Sequence, residues 1–165
     1  MASEVSVRAV SKRARAFFRN GIAQSDDVQR LGKIREPIPI LEPDGTINSW
    51  FVPVQVRDKL AGFMQLTPDL VLKRYASFWR GEQDFANCPD ARSWIDRSWI
   101  QERARTIAKP SEHLNEPALA YHKHPTRIAW RIIATDQGDK TSVIYVTGDS
   151  AFRDDDGDQQ MTLGR

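Results

Sequence analysis

The sequence predicts an α+β fold, in which a helix followed by an antiparallel β-meander occurs twice. The segment Glu36–Trp79 contains apolar runs separated by turn residues, as expected for consecutive antiparallel strands. A weaker copy of this pattern lies at Pro117–Val146. A stretch that favours a helix precedes each block, and the chain lacks the regular strand–helix alternation that is typical of a parallel sheet.

The first helix is predicted between Val5 and Asn20, and Asn20-Gly21 provides an end signal. Its apolar residues share one face and its basic residues share another. The region Met1–Asn20 contains five basic residues and one acidic residue. This bias predicts a basic surface for nucleic acid, an anionic membrane or an acidic protein. The apolar positions are Val7, Val10, Ala14 and Phe17, and the basic positions are Arg8, Lys12, Arg15 and Arg19.

The first meander follows a polar segment, Gln24–Arg35, which is predicted to be a loop. Asp44-Gly45 predicts a tight hairpin turn, because glycine tolerates a positive φ. Pro53 has no N–H group, so its strand is predicted to lie at a sheet edge or to contain a bulge. The predicted strands are Ile38–Leu41, Trp50–Val56, Leu60–Leu66 and Leu70–Phe78, with a turn at Arg57-Asp58-Lys59.

The second half begins after a polar hinge at Gly81–Asp90. Asp90 is a suitable N-cap for a helix over Ala91–Ala108, and Pro110 ends that helix. Gln137-Gly138 marks the last turn between strands. The predicted strands are Ala118–Tyr121, Arg127–Ala134 and Thr141–Val146.

Residues 1–150 are predicted to form a single α+β domain, with 1–80 and 84–150 as the halves of an internal pseudo-repeat. Residues 151–165 are polar and are predicted to form a flexible tail. The composition, 40% hydrophobic and 28% charged, is typical of a soluble globular protein. A chain of 165 residues is long enough to bury a sizeable core.

The cysteine and charge content exclude several classes of protein. Cys88 is the single cysteine, which excludes an intramolecular disulfide and an all-cysteine metal site. No apolar run reaches the length of about 18 residues that a membrane span needs. The N-terminus lacks the apolar core of a secretory signal, so the protein is predicted to be either cytoplasmic or exported with its leader removed. The net charge is only +2 and no nucleic-acid-binding motif is present, so nucleic acid is not the predicted partner.

Trp50-Phe51 is the strongest candidate for a binding groove. Neighbouring strand residues point to opposite faces, so one of the two rings is expected to be exposed. The strand Trp50–Val56 would then offer an edge to an extended peptide, with main-chain hydrogen bonds supplying affinity. The predicted function is therefore a non-catalytic module that binds a protein or peptide, and assembly into a homo-oligomer stays open.

Two alternatives also stay open. A small metal- or thiol-dependent hydrolase would use His122, His124 and Cys88, since His122 and His124 share a side if the segment is extended. A catalytic zinc site needs a third protein ligand, so these histidines alone do not predict a metal. The other alternative is electrostatic binding by the basic helix. No phosphate loop or other cofactor motif is present, and no cofactor is predicted.

A resemblance to known modules is carried by five stretches of the chain, Val10–Phe18, Pro39–Gly45, Ser49–Val56, Arg127–Ile133 and Ser142–Val146. Their order resembles the small cystatin-like and PepSY-like modules of bacteria. The resemblance implies a helix around which an antiparallel meander curls. It also implies a non-catalytic role as a peptidase inhibitor, peptidase propeptide or accessory domain.

Overall fold

Helices and strands alternate in groups along the part of the chain that the computed structural model describes, residues 5–81 and 84–154. The helices are α1 (Val7–Arg19), α2 (Asp26–Leu31), α3 (Arg92–Ile95) and α4 (Arg97–Arg105). The strands are β1 (Lys33–Ile34), β2 (Ile38–Leu41), β3 (Ile47–Val56), β4 (Lys59–Leu66), β5 (Leu72–Ser77), β6 (His113–Leu114), β7 (Ala118–His122), β8 (His124–Thr135), β9 (Thr141–Thr147) and β10 (Ser150–Asp154). The α+β class predicted from the sequence is confirmed.

One sheet contains all the described strands, and its main path runs β10–β9–β8–β7–β2–β3–β4–β5. β1 pairs with β3 and β6 pairs with β8, in line with β2 and β7. β2 and β7 are parallel, with Ile40 beside Leu119 and Leu41 beside Ala120. The other described strand pairs are antiparallel. Within the described residues, β5 and β10 are therefore the two edges of the sheet.

The helices cover different halves of the sheet from opposite sides. α1 buries Val10 in a cluster that contains Val52 of β3. α4 buries Ile100 in a second cluster that contains Trp130 of β8. Phe51, the neighbour of Val52 in β3, belongs to this second cluster. Because successive strand residues point to opposite faces, the two clusters lie on opposite sides, called here the α1 side and the α4 side.

The structure confirms most elements and corrects three of them. The first helix, the Asp44-Gly45 turn and the strands of both meanders are confirmed within a few residues. Gln24–Arg35 is not a loop throughout, because it contains α2, which Ser25 caps through Val28 N, and β1. The helix predicted at Ala91–Ala108 is broken into α3 and α4, because Asp96 leaves the helical conformation to cap α4.

The first residues of the predicted tail form a strand instead. Residues 151–154 pair with β9 as part of β10, so the prediction of a flexible tail from residue 151 is wrong for these four positions. Apolar Phe152 and the Arg153–Glu112 ion pair, with Nη2 and Oε2 2.7 Å apart, favour this strand. Residues 155–165 lie outside the described part of the chain.

Pro53 lies inside the sheet, so its strand is not an edge. The predicted alternative, a bulge, is present just after it, because the register of β3 with β4 shifts between Val54 and Gln55. Its carbonyl accepts a hydrogen bond from Arg35 N at 2.9 Å, on the side where β1 gives way to β2. The N and C=O of a residue in an antiparallel strand point to the same neighbour. The missing N–H group therefore faces this interruption, where no regular ladder bond is lost.

The two halves share one pairing pattern. Trp50 lies opposite Leu66 in β3–β4, as Trp130 lies opposite Val146 in β8–β9, and four further pairs recur at the same sequence interval. The long helices share an Arg-Ala-Arg triplet, and the first arginine of each donates from Nε to a turn carbonyl before the edge strand. Arg13 binds Leu70 O at 3.3 Å and Arg103 binds Asp149 O at 3.1 Å.

A buried polar network joins the halves across β2. The Tyr121 hydroxyl group of β7 donates to Asn48 Oδ1 at 2.9 Å and accepts from Gln65 Nε2 at 2.6 Å. Gln65 Nε2 also donates to Ser49 Oγ at 2.8 Å, and Arg74 Nε donates to Gln65 Oε1 at 2.8 Å. Buried polar groups stabilise a fold only when they are paired, so the network fixes how β7 sits relative to β3 and β4.

Replacing Tyr121 by Phe should lower the free energy of unfolding by about 1–3 kcal/mol, because the buried amide and hydroxyl groups of Gln65 and Ser49 lose a partner. Urea titration followed by tryptophan fluorescence measures the change. Tyr75→Phe on β5 is the matched control, because the buried Tyr75 hydroxyl group has no hydrogen-bond partner among the described residues. An equal loss in both variants would contradict the role given to the Tyr121 hydroxyl group.

The ion pair between Glu112 and Arg153 should make stability depend on pH. Both guanidinium Nη atoms donate to the carboxylate, at 2.9 and 2.7 Å, and the Glu112 side chain is only 4% exposed. These hydrogen bonds from Arg153, with one from Lys109 N, hold the pKa of Glu112 below its ordinary value of 4.5. Its contribution is therefore complete above pH 4.5 and is lost as the pH falls through the lowered pKa.

Glu112→Gln should accordingly destabilise the protein by about 1–3 kcal/mol at neutral pH and by progressively less below pH 4.5. Thermal unfolding of both proteins across the acid range tests this. Asp27→Asn, which removes an exposed pair with Arg30, should change stability by under about 0.5 kcal/mol. A deficit of Glu112→Gln that stays constant down to strongly acid pH would refute the linkage.

Candidate functional site

The basic face of α1 is the most distinctive surface of the described residues. It consists of four exposed side chains, Arg8, Lys12, Arg15 and Arg19, and is called here the α1 basic face. No carboxylate of the described residues lies within 4.0 Å of any of them. Lys12, Arg15 and Arg19 line a shallow depression of about 400 Å³ with Phe18. The four cations therefore face solvent without compensating charge.

Local sequence signals explain why this helix presents its cations outward. Ser6 caps the helix by accepting from Ala9 N at 3.2 Å. Val10, Ala14 and Phe18 recur every four residues and are buried, which fixes the rotation of the helix about its axis. Arg13 occupies the other flank, where it binds Leu70 O and lies over the Phe17 ring. The four residues of the α1 basic face are left toward solvent.

Several other cations of the described residues are paired with carboxylates. On α4, Glu102 occupies the place that corresponds to Lys12, so the positive stripe is interrupted there. The α1 basic face is thus a local property of the first half. The closest pairs elsewhere are Lys59–Asp90 at 2.5 Å, Arg153–Glu112 at 2.7 Å, Lys123–Asp154 at 3.0 Å and Arg30–Asp27 at 3.3 Å.

Trp50 and Phe51 do not form a surface groove. Trp50 is 4% exposed in the cluster under α1, and Phe51 is fully buried in the cluster on the other side. Both faces of β3 are covered, and β2 and β4 pair with its two edges. The predictions of an exposed ring and of a free edge at β3 are therefore wrong. Trp94 of α3 covers Phe51, on which it stacks with the ring centroids 6.0 Å apart, and Trp50 is packed in the cluster under α1.

His122 and His124, the candidate metal ligands, lie in different surroundings. His122 is 8% exposed and packs between Tyr145 and Phe152, with centroid distances of 4.4 and 5.0 Å. Its Nε2 lies 3.4 Å from Asp154 Oδ2, too poorly aligned for a hydrogen bond. The His124 ring instead contacts Thr126 Oγ1 at 2.8 Å. Among the described residues, no three ligating side chains come together to hold a metal ion.

Cys88 is placed apart from these histidines. It is 5% exposed and belongs to the cluster under α1, whereas His122 packs with side chains of β9 and β10. A thiol nucleophile needs a base within hydrogen-bond reach, and the predicted histidine partners are not brought to it. The residues proposed for the hydrolase alternative are therefore not assembled into one site.

A polar cavity of about 710 Å³ lies where α3 and α4 meet the β3–β4 turn. Lys59 Nζ donates to Asp90 Oδ1 at 2.5 Å, which holds the pKa of that carboxyl below its ordinary value. Asp96 is occupied in capping α4 by accepting from Ser98 N and Trp99 N. Acidic and basic side chains alternate here and compensate one another. The cavity therefore carries less net positive charge than the α1 basic face.

Comparisons with protein-family models, curated proteins and solved structures found no match. No helix of the described residues is both long and apolar enough to span a membrane.

Burial of Cys88 should make its thiol slow to react. Ellman's reagent should label the native protein at a small fraction of the rate observed in denaturing urea, because a buried thiol is inaccessible to the reagent. The thiol of free glutathione serves as the control for intrinsic reactivity. Labelling of the native protein as fast as glutathione would contradict the burial of Cys88 and would favour a thiol-dependent enzyme.

Proposed function

We propose that the protein is a non-catalytic binding module and that the α1 basic face docks an acidic segment of a partner protein. The observation that carries the proposal is the set of four exposed cations without a carboxylate within 4.0 Å in the described residues. Such an arrangement costs electrostatic free energy through mutual repulsion. An anionic partner relieves that repulsion. The attraction between the opposite charges also raises the rate at which the two proteins associate.

The spacing of the cations suits an extended or helical acidic segment. Arg8, Lys12, Arg15 and Arg19 follow a helix surface at intervals of three and four residues, so the stripe is about 16 Å long. Arginine guanidinium groups bind carboxylates through paired hydrogen bonds, which favours carboxylates held at regular intervals. The sequence has no motif of a base-reading fold, and a protein partner is therefore preferred over nucleic acid.

The resemblance to cystatin-like and PepSY-like modules is kept as part of this proposal. It is supported by the order of a helix followed by antiparallel strands that pack on it. An inhibitor or accessory domain of a peptidase would fit a non-catalytic docking role. The sheet of ten strands in the described residues, with helices on opposite sides of its halves, is larger than the simple pattern that the resemblance implies.

A four-fold alanine variant of the α1 basic face tests the proposal with fluorescein-labelled poly-L-glutamate as the probe. The native protein should bind it, and its affinity should fall by about tenfold to a hundredfold between about 50 and 200 mM salt. The variant should bind at least about tenfold more weakly at low salt, with a shallower salt dependence. Fluorescence anisotropy measures both quantities.

The matched control removes four other exposed cations, Arg80, Lys109, Arg127 and Lys140, by the same substitution. Its net charge equals that of the test variant, so a loss confined to the test variant identifies the α1 basic face. An equal loss of affinity in both variants would show that only the overall charge matters, which would contradict a specific role of the α1 basic face. Tighter binding to single-stranded DNA or to phosphatidylserine vesicles than to poly-L-glutamate would overturn the choice of an acidic protein.

A further inference from the structure

The second half of the sheet has one face that belongs to neither hydrophobic cluster. Arg131 lies opposite Tyr145 and Ile133 lies opposite Val143 in β8–β9, and Tyr145 lies opposite Phe152 in β9–β10. Opposed residues of antiparallel strands point to the same face. All five side chains are partly exposed. This set, Arg131, Ile133, Val143, Tyr145 and Phe152, is called here the open face.

The open face lies on the same side of the sheet as α1. Trp130, Ile132, Ile144 and Val146 alternate with its residues and are packed in the cluster with α4. Its own side chains therefore point to the α1 side. The cluster under α1 contains no residue of β6–β10 in the described part of the chain. The open face therefore lies outside the hydrophobic cluster that packs under α1.

In the first half, the residues equivalent to the open face are covered by a helix. Phe51 and Phe63 occupy the places that correspond to Arg131 and Val143. They are covered by α3, whose Trp94 stacks on Phe51 at 6.0 Å and approaches Phe78 at 6.2 Å. The fold therefore buries the equivalent apolar residues in the first half, whereas it leaves the open face partly exposed in the second half.

The charges around the open face have the same sign as the α1 basic face. Arg131 has no carboxylate within 4.0 Å in the described residues. The nearby carboxylate of Asp154 is compensated by Lys123 Nζ at 3.0 Å. The face therefore combines apolar side chains with an uncompensated cation. A purely apolar partner would leave Arg131 desolvated and unpaired, and a purely acidic one would leave Ile133 and Val143 uncovered.

We infer that the open face and the α1 basic face bind one acidic amphipathic segment of a partner protein. Its apolar side chains cover Ile133, Val143 and Phe152, and its carboxylates meet Arg131 and the α1 basic face. This inference rests on the proposed function, which it extends by adding an apolar requirement to the acidic partner. The two parts of the interface differ physically, since salt screens the charge contacts and leaves the apolar contact unscreened.

Two synthetic peptides of equal length and equal carboxylate number separate the two parts. In one peptide glutamate alternates with leucine, and in the other it alternates with serine. The native protein should bind the leucine peptide roughly tenfold more tightly than the serine peptide, and that ratio should persist at high salt. The double variant Ile133→Thr, Val143→Thr keeps β-branched residues in the strands and should reduce the ratio to about one.

Each outcome bears on a different claim. A ratio near one in the native protein, or an unchanged ratio in the double variant, overturns the apolar part of the interface. Binding of the serine peptide that is as tight in the four-fold alanine variant of the α1 basic face as in the native protein overturns the proposed function itself. Val71→Thr, at an exposed valine on the opposite half, controls for general loss of apolar surface. Circular dichroism checks that the double variant is folded, and Phe152→Ser provides an independent test if it is not.

Discussion

The fold depends on the short parallel pairing between β2 and β7. Only two residue pairs, Ile40–Leu119 and Leu41–Ala120, define it, yet it joins two antiparallel halves into one sheet. Because the joined strands run in the same direction, the halves are related by a rotation about an axis along the strands. That rotation turns the second half over, which explains why α1 and α4 cover opposite sides. The polar network at Tyr121 reinforces the joint with hydrogen bonds from β3 and β4.

Local features of the fold could be predicted from the sequence, whereas the strand order could not. The α1 periodicity, the Asp44-Gly45 turn and the hairpin strands depend on neighbouring residues, and all three are present. The β2–β7 pairing joins residues far apart in the chain, and no local pattern specifies it. The order of the elements predicts a pseudo-repeat, and in the structure Trp50 and Trp130 hold equivalent positions beside Leu66 and Val146.

The candidate site follows the same division. The cations of the α1 basic face could be predicted because an amphipathic helix reveals its exposed face through its own spacing. Trp50 and Phe51 could not, because the exposure of a strand residue depends on what covers it. Here the cover is Trp94, which reaches Phe51 from the second half. The open face could not be predicted either, because Ile133 and Val143 are apolar strand residues and only the position of α1 leaves them outside the core.

The sharing of Phe51 and Trp94 between the halves has a consequence for biosynthesis. On the ribosome, Phe51 and Phe63 emerge well before α3 and α4, which complete the cluster that buries them. The first half can pack α1 on one side of its strands, but its other side stays apolar and uncovered during this interval. Such exposed surface is prone to association, and growing chains displaying it are typical clients of chaperones. The nascent protein therefore depends on synthesis of its second half to bury this apolar surface.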